Sequence, residues 1–394
     1  MVHRITVENF FSIGERQEIY LPVAANAPDL ACFRDSQGAS GARLPVIVGF
    51  YGPNASGKTT VLRAITAVAT FLQHSFAWSP DAAVAWFNPY AQKKWADLPS
   101  TIVIDADGFL NGTPVVFRYE LQIANSPHKF AHSVLVESMT YRLGRTKVLF
   151  QRHGQAFEFG REFGIADNDP RLQSIRPNAS LVTTLAQLNH GLSSNFVRSL
   201  QKLQTNLVGL DKGKDRLTVA LAYFAQQPGY LKRLNQELGR LDLGLEEMKI
   251  HAANPGPVAT FKHVGLDCEI LMTQESEGTR RFIQLFPQLQ FVLDNGGLAV
   301  IDELDTDVHP LLIPELFRWF TDPNRNSKSA QLLFTAHNPA ILDELEKEQV
   351  FFCEKPGGEP TRVYGARDIK GLRREPSLMR KYLSGELGAV PHIG

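Results

Sequence analysis

The chain has 394 residues, 43% hydrophobic and 21% charged, and its 41 Lys and Arg balance 41 Asp and Glu. That length suits two to three domains with a sizeable core, and the composition excludes disordered and collagen-like chains. Zero formal charge argues against a uniformly basic nucleic-acid binder and leaves room for a local basic patch.

Ile5 and Val7 alternate with polar residues before Phe10-Phe11, which predicts a strand, and Gln17 to Leu21 reads as its hairpin partner. Residues 22–44 lack periodicity and are expected to be a loop. Pro45 to Tyr51 is an apolar run of the kind found in a buried strand, and the spacing of Val61, Leu62, Ile65, Val68 and Ala69 predicts a helix over 60–71. Residues 76–100, with Trp78, Trp86 and Trp95, read as irregular. From 100 to 150 strand-like runs alternate with turn pairs such as Asn111-Gly112 and Asn125-Ser126-Pro127, which predicts an antiparallel sheet of hairpins. Residues 180–250 carry helical periodicity, with Leu200, Leu203, Leu207 and Leu210 in one stripe and Leu231, Leu234, Leu238 and Leu241 in another. Strands return over 258–272. The fold class predicted is α/β: a mixed sheet around a phosphate loop, an antiparallel β-subdomain at the N-terminal side and a helical insertion. The segments are 1–75, 76–150, 151–255 and 256–394.

Cys32, Cys268 and Cys353 lie far apart without C-x-x-C spacing, which fits neither a zinc site nor a disulfide framework. The N-terminus lacks an apolar signal core, and no apolar run reaches the ~18 residues that span a bilayer. A cytoplasmic protein without membrane contact is expected.

The strongest chemical signal is Gly52-Pro53-Asn54-Ala55-Ser56-Gly57-Lys58-Thr59-Thr60, a G-x-x-x-x-G-K-[ST] loop between a buried strand and a helix. Its glycines let backbone N–H groups face phosphates, Lys58 can reach the β and γ phosphates, and the Thr59 hydroxyl can ligate Mg²⁺. Leu298 to Ile301 is an apolar strand that delivers Asp302 and Glu303. Asp302 would hold Mg²⁺ through water, and Glu303 would orient or deprotonate the attacking water. Ser276-Glu277-Gly278 opens a further apolar-periodic segment. It is either an anion cradle or a helix N-cap, and its place 24 residues ahead of Asp302, counted from Gly278, favours the cradle. His337 ends another apolar strand, where an imidazole can touch a γ-phosphate or position water. Asp305 and His309 follow the carboxylate pair, placed to read a neighbouring subunit, and Pro310 is expected to open a helix over 311–320. The histidines show no H-E-x-x-H spacing, so no metal beyond Mg²⁺ is expected. Lys370, Arg373, Arg374, Arg380 and Lys381 cluster near the C-terminus, as a solvated helical face or a contact for nucleic acid or an acidic partner.

Taken together, Gly52–Thr60, Ser276–Arg280, Asp302–Glu303, Asp305 and His337 resemble the ABC-type ATPase heads of Rad50, SMC and RecF proteins and OLD-like nucleases. Ile5 to Ile13 is similar to the first strand of that group. The closing Lys381 to Pro391 resembles the stand-alone RloA/AbiLi-like ATPases, which are often encoded beside a small effector in phage-defence loci. The resemblance implies ATP and Mg²⁺ as cofactors and a head-to-tail homodimer, or a higher homo-oligomer, with ATP at the interface. Lys58, Thr59, Asp302 and Glu303 of one subunit would then face Ser276 and Gly278 of the other. It implies an ATPase switch acting on a separate effector, with nucleic-acid binding in DNA repair or maintenance as the alternative. The signature departs from the transporter pattern by lacking a Leu before Ser276. Gln92 is the candidate for the glutamine loop. The 57 residues after His337 are too few for a Toprim nuclease domain, so nuclease or toxin activity is expected from another chain. A ring-forming AAA+ or RecA-like motor fits poorly, because 244 residues separate Lys58 from Asp302. A transporter subunit fits poorly with the N-terminal hairpin and the long insertion. Intact Lys58, Asp302 and Glu303 argue against a structural protein with a vestigial ATPase.

Overall fold

Inward-facing Ile5 and Val7 seat β1 (Val2–Glu8), which pairs antiparallel with β2 (Gln17–Tyr20), Val7 opposite Gln17. The computed structural model describes every residue except 39, 81, 83, 85, 126–132, 208–215, 242–243, 255, 307, 309–311, 374–376 and 391–394. Ser126, Pro127, Leu210, His309, Pro310, Leu311, Arg374 and Pro391, invoked above, lie outside the described residues.

The stretch 22–44, expected to be a loop, holds a short hairpin of β3 (Phe33–Asp35) and β4 (Arg43–Pro45). Two three-residue strands are too short to show alternation. β5 (Ile47–Tyr51) is buried throughout, and α1 (Lys58–His74) follows the glycine-rich turn. Next come β6 (Ser100–Leu110), β7 (Thr113–Ile123), β8 (Val134–Leu143), β9 (Arg145–His153) and β10 (Ala156–Phe159). They form the expected hairpins and add to β1, giving one sheet in the order β10-β9-β8-β7-β6-β1-β2. At the β6–β7 turn Asn111 and Gly112 take φ of 50° and 81°, the left-handed pair that matches the twist of a tight hairpin.

The expected helical stretch contains α2 (Leu181–Gln187), α3 (Gly191–Leu200), α4 (Arg216–Gln226) and α5 (Pro228–Arg240). Two parts of it are strands instead. Leu203, read as part of a helical stripe with Leu200 and Leu207, lies in β11 (Leu203–Thr205), an edge strand parallel to the Asp302 strand. Leu245 to His251 forms β12, which pairs with β13 (Val258–His263), and β14 (Ile270–Leu271) completes a three-stranded sheet. The second leucine stripe is as predicted: Leu234 and Leu238 are fully buried on α5, with Leu231 and Leu241 packed against the same core.

The chain closes with α6 (Glu277–Asn295), β15 (Leu298–Ile301), α7 (Leu312–Thr321), β16 (Gln331–Thr335), β17 (Val350–Glu354), β18 (Arg362–Gly365) and α8 (Leu378–Leu383). The central sheet runs β11-β15-β16-β5-β17-β18, parallel except for β18. Its strands are apolar on both faces. Ile47, Tyr51, Ala299, Ile301, Leu332 and Phe334 pack into a core with α4 to α8, while Val48, Phe50, Val300 and Leu333 face α1, α2 and the antiparallel sheet. Covering both faces is what turns these strands into continuous hydrophobic runs. It also brings the C-terminal ends of β5, β15 and β16 side by side, where ligands of parallel α/β sheets bind. Among the described residues no helix is long and apolar enough to cross a membrane.

Candidate nucleotide-binding site

The turn after β5 is held by backbone geometry that needs glycine. Gly52 and Gly57 adopt φ of 149° and 100°. A Cβ on Gly52 would sit 2.0 Å from the carbonyl oxygen of Cys353, and one on Gly57 would sit 2.4 Å from Thr361 Oγ1. The loop is also braced from behind. Thr361 Oγ1 donates to the Ser56 carbonyl at 2.9 Å, and Ser12 Oγ lies 2.9 Å from both Thr361 Oγ1 and Thr60 Oγ1. α1 begins directly at Lys58, so the unpaired N–H groups of its first turn and the positive end of its dipole sit at this loop.

Lys58 Nζ donates to the carbonyls of Gly52 at 2.7 Å and Pro53 at 3.0 Å. Burial lowers the pKa of this ammonium, with Cys353, Asp302, Glu303 and Asp305 opposing the shift. Thr59 Oγ1 donates to both carboxylate oxygens of Asp302, at 3.0 and 3.1 Å. From the other side Thr335 Oγ1 donates to Asp302 Oδ1 at 2.7 Å and accepts from the Glu303 N–H at 2.7 Å. Glu303 takes φ of 50°, uncommon for a non-glycine residue, and its carboxylate lies 3.7 Å from His337 Nε2. Asp305 Oδ2 accepts from the N–H groups of His337 and Asn338 at 2.8 and 2.6 Å, which fixes the turn carrying the imidazole. The other Asp305 oxygen is buried without a hydrogen-bond partner among the described residues.

Beside this network lies a cleft of about 1020 Å³ lined by Asn54 to Thr60, Glu303 and His337 and by Phe11, Tyr90 and Lys355. A second cavity of about 510 Å³, between α1, α3 and the antiparallel sheet, is mainly apolar and includes none of these polar groups. Ser276 and Gly278 do not line the cleft. Ser276 Oγ caps α6 by accepting from Thr279 N–H at 3.1 Å, and the residue is exposed. The sequence candidate Gln92 is exposed, and its amide donates to the Gly358 carbonyl at 3.2 Å and to Tyr90 Oη at 3.4 Å. The contact that sequence reading misses is Asn206, just past β11, whose side chain bonds the backbone of Asp302.

The donor set suits a hard cation. Thr59 and Asp302 offer a hydroxyl and a carboxylate within one hydrogen bond of each other, the protein share expected where substrate phosphates complete a Mg²⁺ shell. Among the described residues no three His, Cys, Asp or Glu side chains are grouped to hold a metal unaided.

Residues 47–343 match the family model described as "AAA domain, putative AbiEii toxin, Type IV TA system". The chain belongs to this AAA-domain family. The AAA domain is thus a P-loop ATPase domain, with its phosphate loop, Asp302 and Glu303 inside the matched span. No curated protein matches its sequence at a significant level. Among solved structures it is similar to the SMC head domain from Thermotoga maritima, at 12% identity and TM-score 0.43, covering 92% of this chain and 98% of that one. It is also similar to the Pyrococcus furiosus Smc head domain with an extended coiled coil bound to the C-terminal domain of ScpA, at 12% identity and TM-score 0.43, covering 98% of each chain. At these TM-scores the likenesses add nothing to the family assignment.

Proposed function

We propose that this AAA domain is a cytoplasmic, Mg²⁺-dependent ATP-hydrolysing switch that closes as a head-to-tail homodimer and controls a separate effector protein in anti-phage defence. The observation that carries the ATPase reading is the continuous network Thr59–Asp302–Thr335–Glu303, with Lys58 beside it and the cleft in front. Gly52 to Thr60 would cradle the triphosphate, and Thr59 and Asp302 would hold the Mg²⁺. The bound ion would supply charge neutralisation at the phosphates. Lys58 would oppose charge that develops on the γ-phosphoryl oxygens, and Glu303 would orient or deprotonate the attacking water with His337 as its neighbour.

The dimer reading is supported by Ser276 and Gly278. They are accessible at the start of a helix of 19 residues, yet outside the cleft of their own chain, so a second copy is the natural recipient. The family description, with its putative toxin and toxin–antitoxin system, supports the defence role. A second reading, a nucleic-acid-binding ATPase in DNA repair or maintenance, is favoured by Lys370, Arg373, Arg380 and Lys381. These cations have no acidic partner among the described residues. The test is steady-state ATP hydrolysis by wild type, Lys58→Ala and Glu303→Gln. Loss in both variants is expected, with Glu303→Gln retaining nucleotide. A Glu303→Gln protein as fast as wild type contradicts the assigned base.

A further inference from the structure

The end of β11 carries an arrangement that phosphate-loop chemistry does not require. β11 runs parallel to β15 with Leu203, Gln204 and Thr205 opposite Leu298, Ala299 and Val300. Its ladder stops there, two residues short of Asp302. Beyond that point Asn206 Oδ1 accepts from the Asp302 N–H at 2.7 Å, and Asn206 Nδ2 donates to the Asp302 carbonyl at 2.7 Å. A carboxamide has one acceptor and one donor in a plane, so this side chain replaces a missing strand residue and satisfies both backbone groups of Asp302. Asn206 is itself buried, and its own carbonyl accepts from the Arg216 guanidinium at the start of α4.

We propose that Asn206 is a positioning residue that aims the Asp302 carboxylate at the Mg²⁺ of the bound nucleotide by locking the Asp302 peptide. The inference rests on the ATPase reading above. With both amide groups engaged by the backbone, Asn206 acts through Asp302 and contributes no ligand of its own. Thr59 and Thr335 bond the carboxylate while Asn206 holds the backbone, so both ends of Asp302 are tied. Neither Asp nor Ala can do this. Asp keeps the acceptor, loses the donor and adds a negative charge beside the site, while Ala leaves two backbone groups unpaired. Partners that orient a metal ligand commonly change metal affinity by ten- to a hundredfold when removed.

The test is binding of a fluorescent ATP analogue, mant-ATP, by the full chain, in EDTA and across a Mg²⁺ titration. Asn206→Ala is expected to bind mant-ATP in EDTA like wild type, while its Mg²⁺ half-saturation point rises by about tenfold or more. Asn206→Asp, which keeps the bond from the Asp302 N–H, is expected to shift the same way and serves if the Ala variant melts below the assay temperature. Mg²⁺ midpoints within twofold of wild type in the folded variants overturn the proposal. So does weakened EDTA binding at an unchanged melting temperature, because Asn206 would then act on the phosphate loop. Lys58→Ala reports on the underlying reading. If it binds mant-ATP as wild type does, the nucleotide site has been misassigned, whatever Asn206 does.

Discussion

Thr335→Val tests the network that couples the carboxylate pair. Thr335 is fully buried, and its hydroxyl makes two bonds of 2.7 Å, one given to Asp302 and one received from the Glu303 N–H. Valine keeps the branched shape and removes both. A hydrogen bond to an ionised group is worth about 1.5–3 kcal/mol, and an orphaned buried N–H costs about 1–3 kcal/mol. If the first of these is expressed in the aim of Asp302, kcat/KM for ATP falls by roughly ten- to a hundredfold. The second lowers the melting temperature by roughly a few degrees. Steady-state hydrolysis with a Mg²⁺ titration, beside a thermal melt, reads both. Thr335→Ser retains the hydroxyl and should recover most of the activity. A valine variant within twofold of wild type in kcat/KM, with serine no different, would refute the reasoning.

Two further substitutions probe the frame around the site. Gly52→Ala places a methyl group 2.0 Å from a backbone carbonyl that cannot swing away, so nucleotide binding should drop below detection by isothermal calorimetry even where the protein still folds. Asp107 accepts from Ser36 Oγ at 2.7 Å and lies 2.6 Å from His3 Nε2. Burial would raise its pKa, but hydrogen bonds from His3 and Ser36 and the terminal ammonium hold the carboxyl well below its ordinary value of 3.8. The unfolded chain therefore takes up this proton first. Stability from Asp107 is complete above about pH 4 and drains as pH falls below it. Thermal melts from pH 5 to pH 2.5 should fall more steeply for wild type than for Asp107→Asn, and parallel slopes would exclude the carboxyl as a source of acid sensitivity.

Much of this architecture was legible in the residues. The phosphate loop and Asp302-Glu303 announce themselves because each ends an apolar run too hydrophobic for anything but a strand buried on both faces. The β-hairpins follow from alternation and from Asn111-Gly112. What escaped was short or distant. β11 is three residues long, and a Leu-x-x-Leu spacing that spans a helix end and an edge strand mimics a continuous helical stripe. Asn206 meets Asp302 across 96 residues of sequence, and a single Asn before an apolar Leu207 carries no local mark of that contact. Gln92 donates to the Gly358 carbonyl and to Tyr90 Oη, contacts that a single Gln in an irregular stretch does not announce. Ser276 caps α6, as one of the two readings offered for it expects.

The most direct test of the switch is molar mass by light scattering for Glu303→Gln, with and without Mg-ATP, beside Glu303→Gln combined with Ser276→Arg. The account predicts that Mg-ATP shifts the first protein from one chain's mass to twice that mass and leaves the second unchanged. A mass indifferent to nucleotide in both, from a Glu303→Gln protein shown to bind ATP, would contradict the cross-subunit site.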